Sequence, residues 1–219
     1  MIENVAMKDE GIVLFVDFDG TITKQDVCAA MVEAFAGAGW REINKRWERK
    51  EISTEQCANM TFNLFQADLS DLKRLLDTME IDEYFKEFLG LCRERGHRVY
   101  VLSDGYDLCI EAVFEKYHIN VPYYANRMIY DGSFKIECPG TNPACGICGT
   151  CKTRLMEELK GEGNTVVYIG DGYSDTCPAT RADVVFAKKD LYRFCRDNGV
   201  SARYFTDFKE IIIYLKSLQ

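Results

Sequence analysis

Four short apolar runs, at residues 12–16, 98–102, 165–169 and 183–187, are separated by stretches of helical period, and that alternation limits the fold more than any other feature of the chain. Parallel strands must be joined by long crossovers, and helices are the usual crossover. The pattern therefore predicts an α/β protein: a doubly wound parallel sheet with helices on both faces. A central Asp131-Gly132 between the apolar residues 129–130 and 134–136 predicts a β-hairpin, and helices are predicted at about 152–160, 189–197 and 207–218. Residues 82–95 form a further helix, with Tyr84, Phe85, Phe88, Leu89 and Cys92 on one stripe and a stop at Gly96.

The first run leads into Asp17-Phe18-Asp19-Gly20-Thr21, and between it and the second run lie some sixty residues of helical period. They break near Gly37-Ala38-Gly39, Ile52-Ser53 and Asp68-Leu69-Ser70. Ser53 with Gln56 reads as a capping box, and Ser70 is expected to cap the next helix. The domain reading is an α/β core of residues 1–23 and 81–219, a helical insert of residues 24–80, and a Cys-rich loop at 138–151 within the core. In a chain of 219 residues that is 47% hydrophobic, one core of this kind can be filled.

The formal charge of −8 disfavours broad affinity for nucleic acid or anionic membranes, so neither is an expected partner. No apolar run approaches the roughly 20 residues that span a bilayer. Residues 1–8 lack the basic and apolar regions of a signal peptide, and the expected location is the cytoplasm. There the ten cysteines are not a disulfide framework by default.

Three predicted strands end in chemically complementary residues: Asp17 and Asp19, then Ser103 before Asp104-Gly105, then Asp171 and Asp175 in Gly170-Asp171-Gly172-Tyr173-Ser174-Asp175. All three ends fall on one edge of a parallel sheet, where open α/β folds bind ligands. Lys152, at a helix start, can bring positive charge to the same edge. Taken singly, Ser103 reads as a turn serine, Lys152 as a solvated lysine and Asp175 as a helix-terminal acid.

In this order the motifs resemble the haloacid dehalogenase superfamily of phosphatases, over most of the chain. The resemblance is to its phosphoserine phosphatase subgroup and, through Asp17 to Thr23 with Asp26 following and the Cys-rich segment before Lys152, to the 2-hydroxy-3-keto-5-methylthiopentenyl-1-phosphate phosphatases of methionine salvage. It implies that Asp17 attacks phosphorus, that Asp19 acts as acid and then base, and that Ser103, Gly105 and Lys152 bind the phosphate. Mg²⁺ would be held by Asp17, Asp19 and Asp171, with Asp175 at or beside the metal. The insert at 24–80 would be a cap, and the partner a small-molecule phosphate ester. Phosphoserine phosphatases usually place a Glu near the position of Asp26, which weighs against phosphoserine itself but leaves it as the alternative substrate, along with other small phosphomonoesters.

Cys138, Cys145, Cys148 and Cys151 lie within 14 residues, and a structural Zn²⁺ is one reading of them, reduced thiols another. A thiol phosphatase is a rival reading, because Cys92 and Cys148 each stand shortly before an arginine. A non-catalytic zinc-binding interaction module on a phosphatase scaffold is a third. Oligomeric state is not legible in the chain.

Overall fold

A computed structural model describes residues 11–218, so the segment read above for a signal peptide lies outside the described residues. Strand β1 (Ile12–Val16) is buried along its whole length because each face of it meets a different apolar layer. Ile12, Leu14 and Val16 pack into one cluster, and Val13 and Phe15 into the other. A tight turn through Phe18–Ile22 follows, then helices α1 (Val27–Phe35), α2 (Trp40–Glu48), α3 (Thr54–Phe62) and α4 (Leu69–Thr78).

The chain returns through α5 (Phe85–Glu94) to β2 (Arg98–Tyr106), then α6 (Asp107–Tyr117) and the hairpin β3 (Tyr123–Tyr130) and β4 (Phe134–Glu137). After the Cys-rich loop come α7 (Lys152–Leu159), β5 (Thr165–Gly170), the short α8 (Thr176–Ala179), β6 (Val184–Ala187), α9 (Lys189–Asp197), β7 (Arg203–Tyr204) and α10 (Phe208–Ser217). The sheet order is β4-β3-β2-β1-β5-β6-β7, all pairs parallel except β3 with β4. Successive strands are laid down on one side of β1 and then on the other, so the reversal of order opens a crevice at the carboxyl end of β1 between β2 and β5.

The apolar cluster on one face joins the sheet to α5, α6, α10 and the inward sides of α1, α3 and α4. The cluster on the other face joins it to α7, α8 and α9. Among the described residues no helix is long and apolar enough to cross a membrane.

The structure adjusts the sequence reading in three places. Asp68, not Ser70, caps α4: its carboxylate accepts from the backbone N–H groups of Ser70 and Asp71, and Asp71 reaches back to the Asp68 N–H. Strand β2 runs past Leu102 through an irregular stretch to Tyr106, where it still pairs with β3. Strand β7 is two exposed residues at the sheet edge, too short to carry a period. The Ser53–Gln56 capping box at α3 is present as expected.

Phe208 shows how the first cluster is closed: its ring lies 4.9 Å from those of both Phe85 and Phe88, with no solvent exposure. Phe208→Ala should therefore destabilise the fold by about 3–5 kcal/mol, read as a shift in urea midpoint with unchanged slope.

Candidate active site

The register of β1 against β5 puts Val16 opposite Ile169, and the Asp17 N–H donates to the Ile169 carbonyl at 2.9 Å. The two strand ends are thus level, and their acidic loops share one crevice. Lys152, the first residue of α7, enters between them. Its Nζ lies 2.5 Å from Asp17 Oδ1 and 2.6 Å from Asp175 Oδ1, and Lys152 and Asp175 are 2% and 0% exposed. Burial opposes the charged ammonium, but Asp17 and Asp175 outweigh it and raise the Lys152 pKa well above its ordinary value.

Asp175 spends its carboxylate on structure. Oδ1 accepts from Lys152 and from the Tyr168 hydroxyl at 2.6 Å, and Oδ2 accepts from the Asp171 and Gly172 N–H groups, both at 3.0 Å. It fixes the lysine and the loop that carries Asp171. Burial and the neighbouring Asp175 push Asp17 well above the usual carboxylate range, against the opposing pull of Lys152.

The segment after β1 is shaped by Gly20, which has φ +71°. A Cβ there would run into the Asp171 carboxylate and Lys189 Nζ, so this turn needs glycine for both its backbone and its space. Thr23 locks the turn by accepting from the Gly20 N–H at 3.0 Å and donating to the Phe18 carbonyl at 3.1 Å.

Asp19 is held by three neighbours. The Val27 N–H donates to Oδ1 at 3.1 Å, the Ser103 hydroxyl donates to Oδ2 at 3.2 Å, and the Cys28 thiol lies 4.0 Å from Oδ2. Burial and then Asp26 raise its pKa to about 7, although the two hydrogen bonds work the other way. The Gly105 N–H donates to Ser103 Oγ at 2.9 Å, and a Cβ on Gly105 would strike the Asp19 carboxylate.

Asp17, Asp171 and Asp175 can each bring a carboxylate oxygen within 4.8 Å of the others, all three residues being buried. Both oxygens of Asp175 are already taken, which leaves Asp17 and Asp171 as the carboxylates free to meet a hard divalent cation such as Mg²⁺, at a site whose negative charge exceeds what Lys152 offsets. Asp171 also accepts from the Thr21 hydroxyl at 3.3 Å and pairs with Lys189 at 2.7 Å.

Asp17, Asp19, Ser103, Gly105, Lys152, Asp171 and Asp175, each singled out in the sequence, thus stand together. The sequence reading missed Tyr168, Thr21 and Lys189. Lys189 follows β6 at the same sheet edge, and the rule that strand ends carry the ligand groups points to it.

The four loop thiols are elsewhere. Among the described residues the sets of three or more such donors within 4.8 Å are the one above and Asp19 with Asp26 and Cys28; none includes Cys138, Cys145, Cys148 or Cys151. All ten cysteines are free thiols. Burial pushes the Cys138 and Cys148 thiols up to about 12, and with no three of the four loop sulfurs converging, a structural zinc has no support here. Cys92, inside α5, is buried in the apolar core away from the crevice, and burial also pushes its thiol up to about 12, so it does not fit a nucleophile's place.

A sequence profile of haloacid dehalogenase-like hydrolases matches residues 14–179. The 2-hydroxy-3-keto-5-methylthiopentenyl-1-phosphate phosphatase of Bacillus mycoides strain KBAB4 is 30% identical over 212 residues, 94% of this chain and 97% of that protein; the protein of the same name from Bacillus thuringiensis strain Al Hakam is 30% identical over 213 residues, with the same coverage. Among solved structures, a phospho-aspartyl intermediate analogue of phosphoserine phosphatase superposes with a TM-score of 0.68 at 22% identity, covering 94% of this chain and 99% of that one. A substrate-bound phosphoserine phosphatase complex superposes with a TM-score of 0.71 at 20% identity and the same coverage. At such identities the structural likeness is one of fold.

Removing Asp175 leaves a buried ammonium with half its partners and two loop N–H groups with none. Asp175→Ala is expected to cost about 3–5 kcal/mol in urea unfolding, and Tyr168→Phe, which deletes one hydroxyl, only about 1 kcal/mol.

Proposed function

The chain belongs to the haloacid dehalogenase-like hydrolase family, and from that premise we propose that it hydrolyses a small phosphate ester by way of an aspartyl-phosphate on Asp17. The observation that carries this reading is the buried Lys152 ammonium held against Asp17 by Asp175. It directs a positive charge at the carboxylate that would attack phosphorus and at the phosphoryl oxygens around it. Attack by Asp17 forms the P–O bond to its carboxylate as the ester P–O bond breaks, and hydrolysis of the aspartyl-phosphate then returns the enzyme.

Asp19 is the proton donor to the leaving oxygen and afterwards the base for water. A pKa of about 7 suits both duties near neutral pH. Ser103 hydrogen-bonds a phosphoryl oxygen, and Gly105, with no Cβ, leaves the ester room beside it. Asp17 and Asp171, with the backbone carbonyl of Asp19, would hold Mg²⁺, which when bound offsets charge on the phosphoryl oxygens. Asp175 acts through Lys152 and the Asp171–Gly172 backbone.

The substrate we favour is 2-hydroxy-3-keto-5-methylthiopentenyl-1-phosphate, after the names of the relatives matched over nearly the whole chain. Beside the Asp19 carboxylate lies the Cys28 thiol, at 4.0 Å. Phosphoserine is the second reading, supported by the fold of the matched structures. It would need an acid for its ammonium, and Asp26 is exposed and caps α1 through the Ala29 N–H. Residues 24–80 serve as the cap over the site, and ten free thiols accord with the cytoplasm.

Phosphate release from an aryl phosphate is expected to require Mg²⁺ and to fall to background in Asp17→Asn; metal-independent turnover surviving in that variant would overturn the reading. Asp19→Asn should give a burst of about one equivalent of aryl alcohol followed by slow turnover, because loss of the base strands the aspartyl-phosphate. For the wild type, kcat/KM with an alkyl phosphate should fall about tenfold per pH unit above about 7, as Asp19 loses its proton. With an aryl phosphate, whose leaving group needs no proton, the same range should be flat.

A further inference from the structure

Asp104 follows Ser103 in the chain, and a carboxylate so close to a phosphate site would repel the substrate if it were free. It is instead fully engaged. Oδ1 accepts from the Thr150 N–H at 2.8 Å and from Asn126 Nδ2 at 3.3 Å, while Oδ2 accepts from the Thr54 hydroxyl at 3.0 Å. Asn126 Nδ2 also donates to the Asp104 carbonyl at 2.7 Å, and the Thr150 hydroxyl donates to Asn126 Oδ1 at 3.1 Å. The ring ties the end of β2 to the residues just before Lys152, and the helical insert enters it through Thr54 alone.

Thr54 is the first residue of α3, so its N–H has no partner within the helix. It donates to the Ile147 carbonyl, between Cys145 and Cys148, at 2.9 Å. The helix end is thus completed by the Cys-rich loop. The Thr54 hydroxyl in turn accepts from Trp47 Nε1 at 3.1 Å, and the Trp47 ring meets Tyr173 edge to face at 5.9 Å. Tyr173 lies between Asp171 and Asp175. The corner between α2 and α3 therefore rests on two loops at once, one leading to Lys152 and one carrying Asp171.

We propose that Thr54 and Asp104 are positioning residues: they form a clasp that seats the insert on the Cys-rich loop and so fixes Lys152 and Ser103 for the phosphate. This rests on the phosphatase reading for the roles of Lys152 and Ser103, but the clasp itself is a physical coupling that can be measured without turnover. It gives the Cys-rich loop a function that needs neither metal nor disulfide.

The test is hydrogen exchange by mass spectrometry, with kinetics on an aryl phosphate, for Thr54→Val, Thr54→Ser and Trp47→Phe. Thr54→Val keeps the shape and removes the hydroxyl. Peptides from residues 54–62 and 138–151 are expected to exchange faster together, and kcat/KM to fall about tenfold, the loss of a hydrogen bond to a charged group. Thr54→Ser should restore both. Trp47→Phe, at a half-buried position, should move the same peptides in the same direction by less, and it decides the matter if Thr54→Val does not fold. Faster exchange confined to residues 54–62, an unchanged kcat/KM in Thr54→Val, or a Thr54→Ser that behaves like Thr54→Val would overturn the clasp. Should Asp17→Asn prove as active as the wild type, the phosphatase reading falls, while the exchange of 138–151 still decides whether the clasp exists.

Discussion

The Lys152 ammonium sits between the carboxylates of Asp17 and Asp175, nearly without contact with water, and the remaining architecture can be read as what that placement requires. An isolated buried charge would cost several kcal/mol, so α7 can dock only where two carboxylates are already presented to it. Presenting them takes adjacent parallel strands with level ends, which the β1–β5 register supplies, and a crossover helix that starts at the carboxyl edge. Asp175 in turn holds its position only because Tyr168 and two loop N–H groups complete its hydrogen bonding. The proposed catalytic arrangement and the fold are therefore the same set of contacts seen from two ends.

That arrangement is electrostatically incomplete by itself. Asp17, Asp171 and Asp175 outnumber the one buried lysine, and burial raises the pKa of both Asp17 and Asp171. Lys189 relieves part of the excess from the solvent side of Asp171, at a half-exposed position where screening keeps its contribution small. A divalent cation among these oxygens would relieve more, which is why the acidic set and the lysine belong to one site rather than to two.

Most of this was legible in the sequence where the physics is local. Apolar runs of the right length became β1, β5 and β6, and the acids immediately after them were bound to reach one edge once the strands were parallel. Asp175 could be placed at that edge but not given its partners, because Tyr168 lies inside a strand and reads as core. Ser70 reads as a cap in the sequence, whereas Asp68 holds that place because its carboxylate accepts from two N–H groups and Asp71 reciprocates. Asp104, Thr54 and Thr150 were invisible for a different reason. They are far apart in the chain: the fold of the core brings Asp104 to Thr150, and the seating of the insert on the β4 side of the sheet brings Thr54 to both, as the paired hydrogen bonds between Asn59 and the Ile136 backbone also show.

The Cys-rich loop illustrates how spacing can mislead when backbone geometry is unknown. Four thiols in a Gly- and Pro-bearing segment look like a metal knuckle, yet ligands must converge on one point, and among the described residues no three of these four sulfurs come within 4.8 Å of one another. What the loop offers instead is its main chain. The Ile147 carbonyl completes α3, the Gly140 carbonyl accepts from the Cys151 N–H, and the Thr150 N–H reaches Asp104. These main-chain hydrogen bonds tie the loop to α3, to itself and to the end of β2. Because the loop ends at Lys152, those ties bear directly on the ammonium on which the site depends.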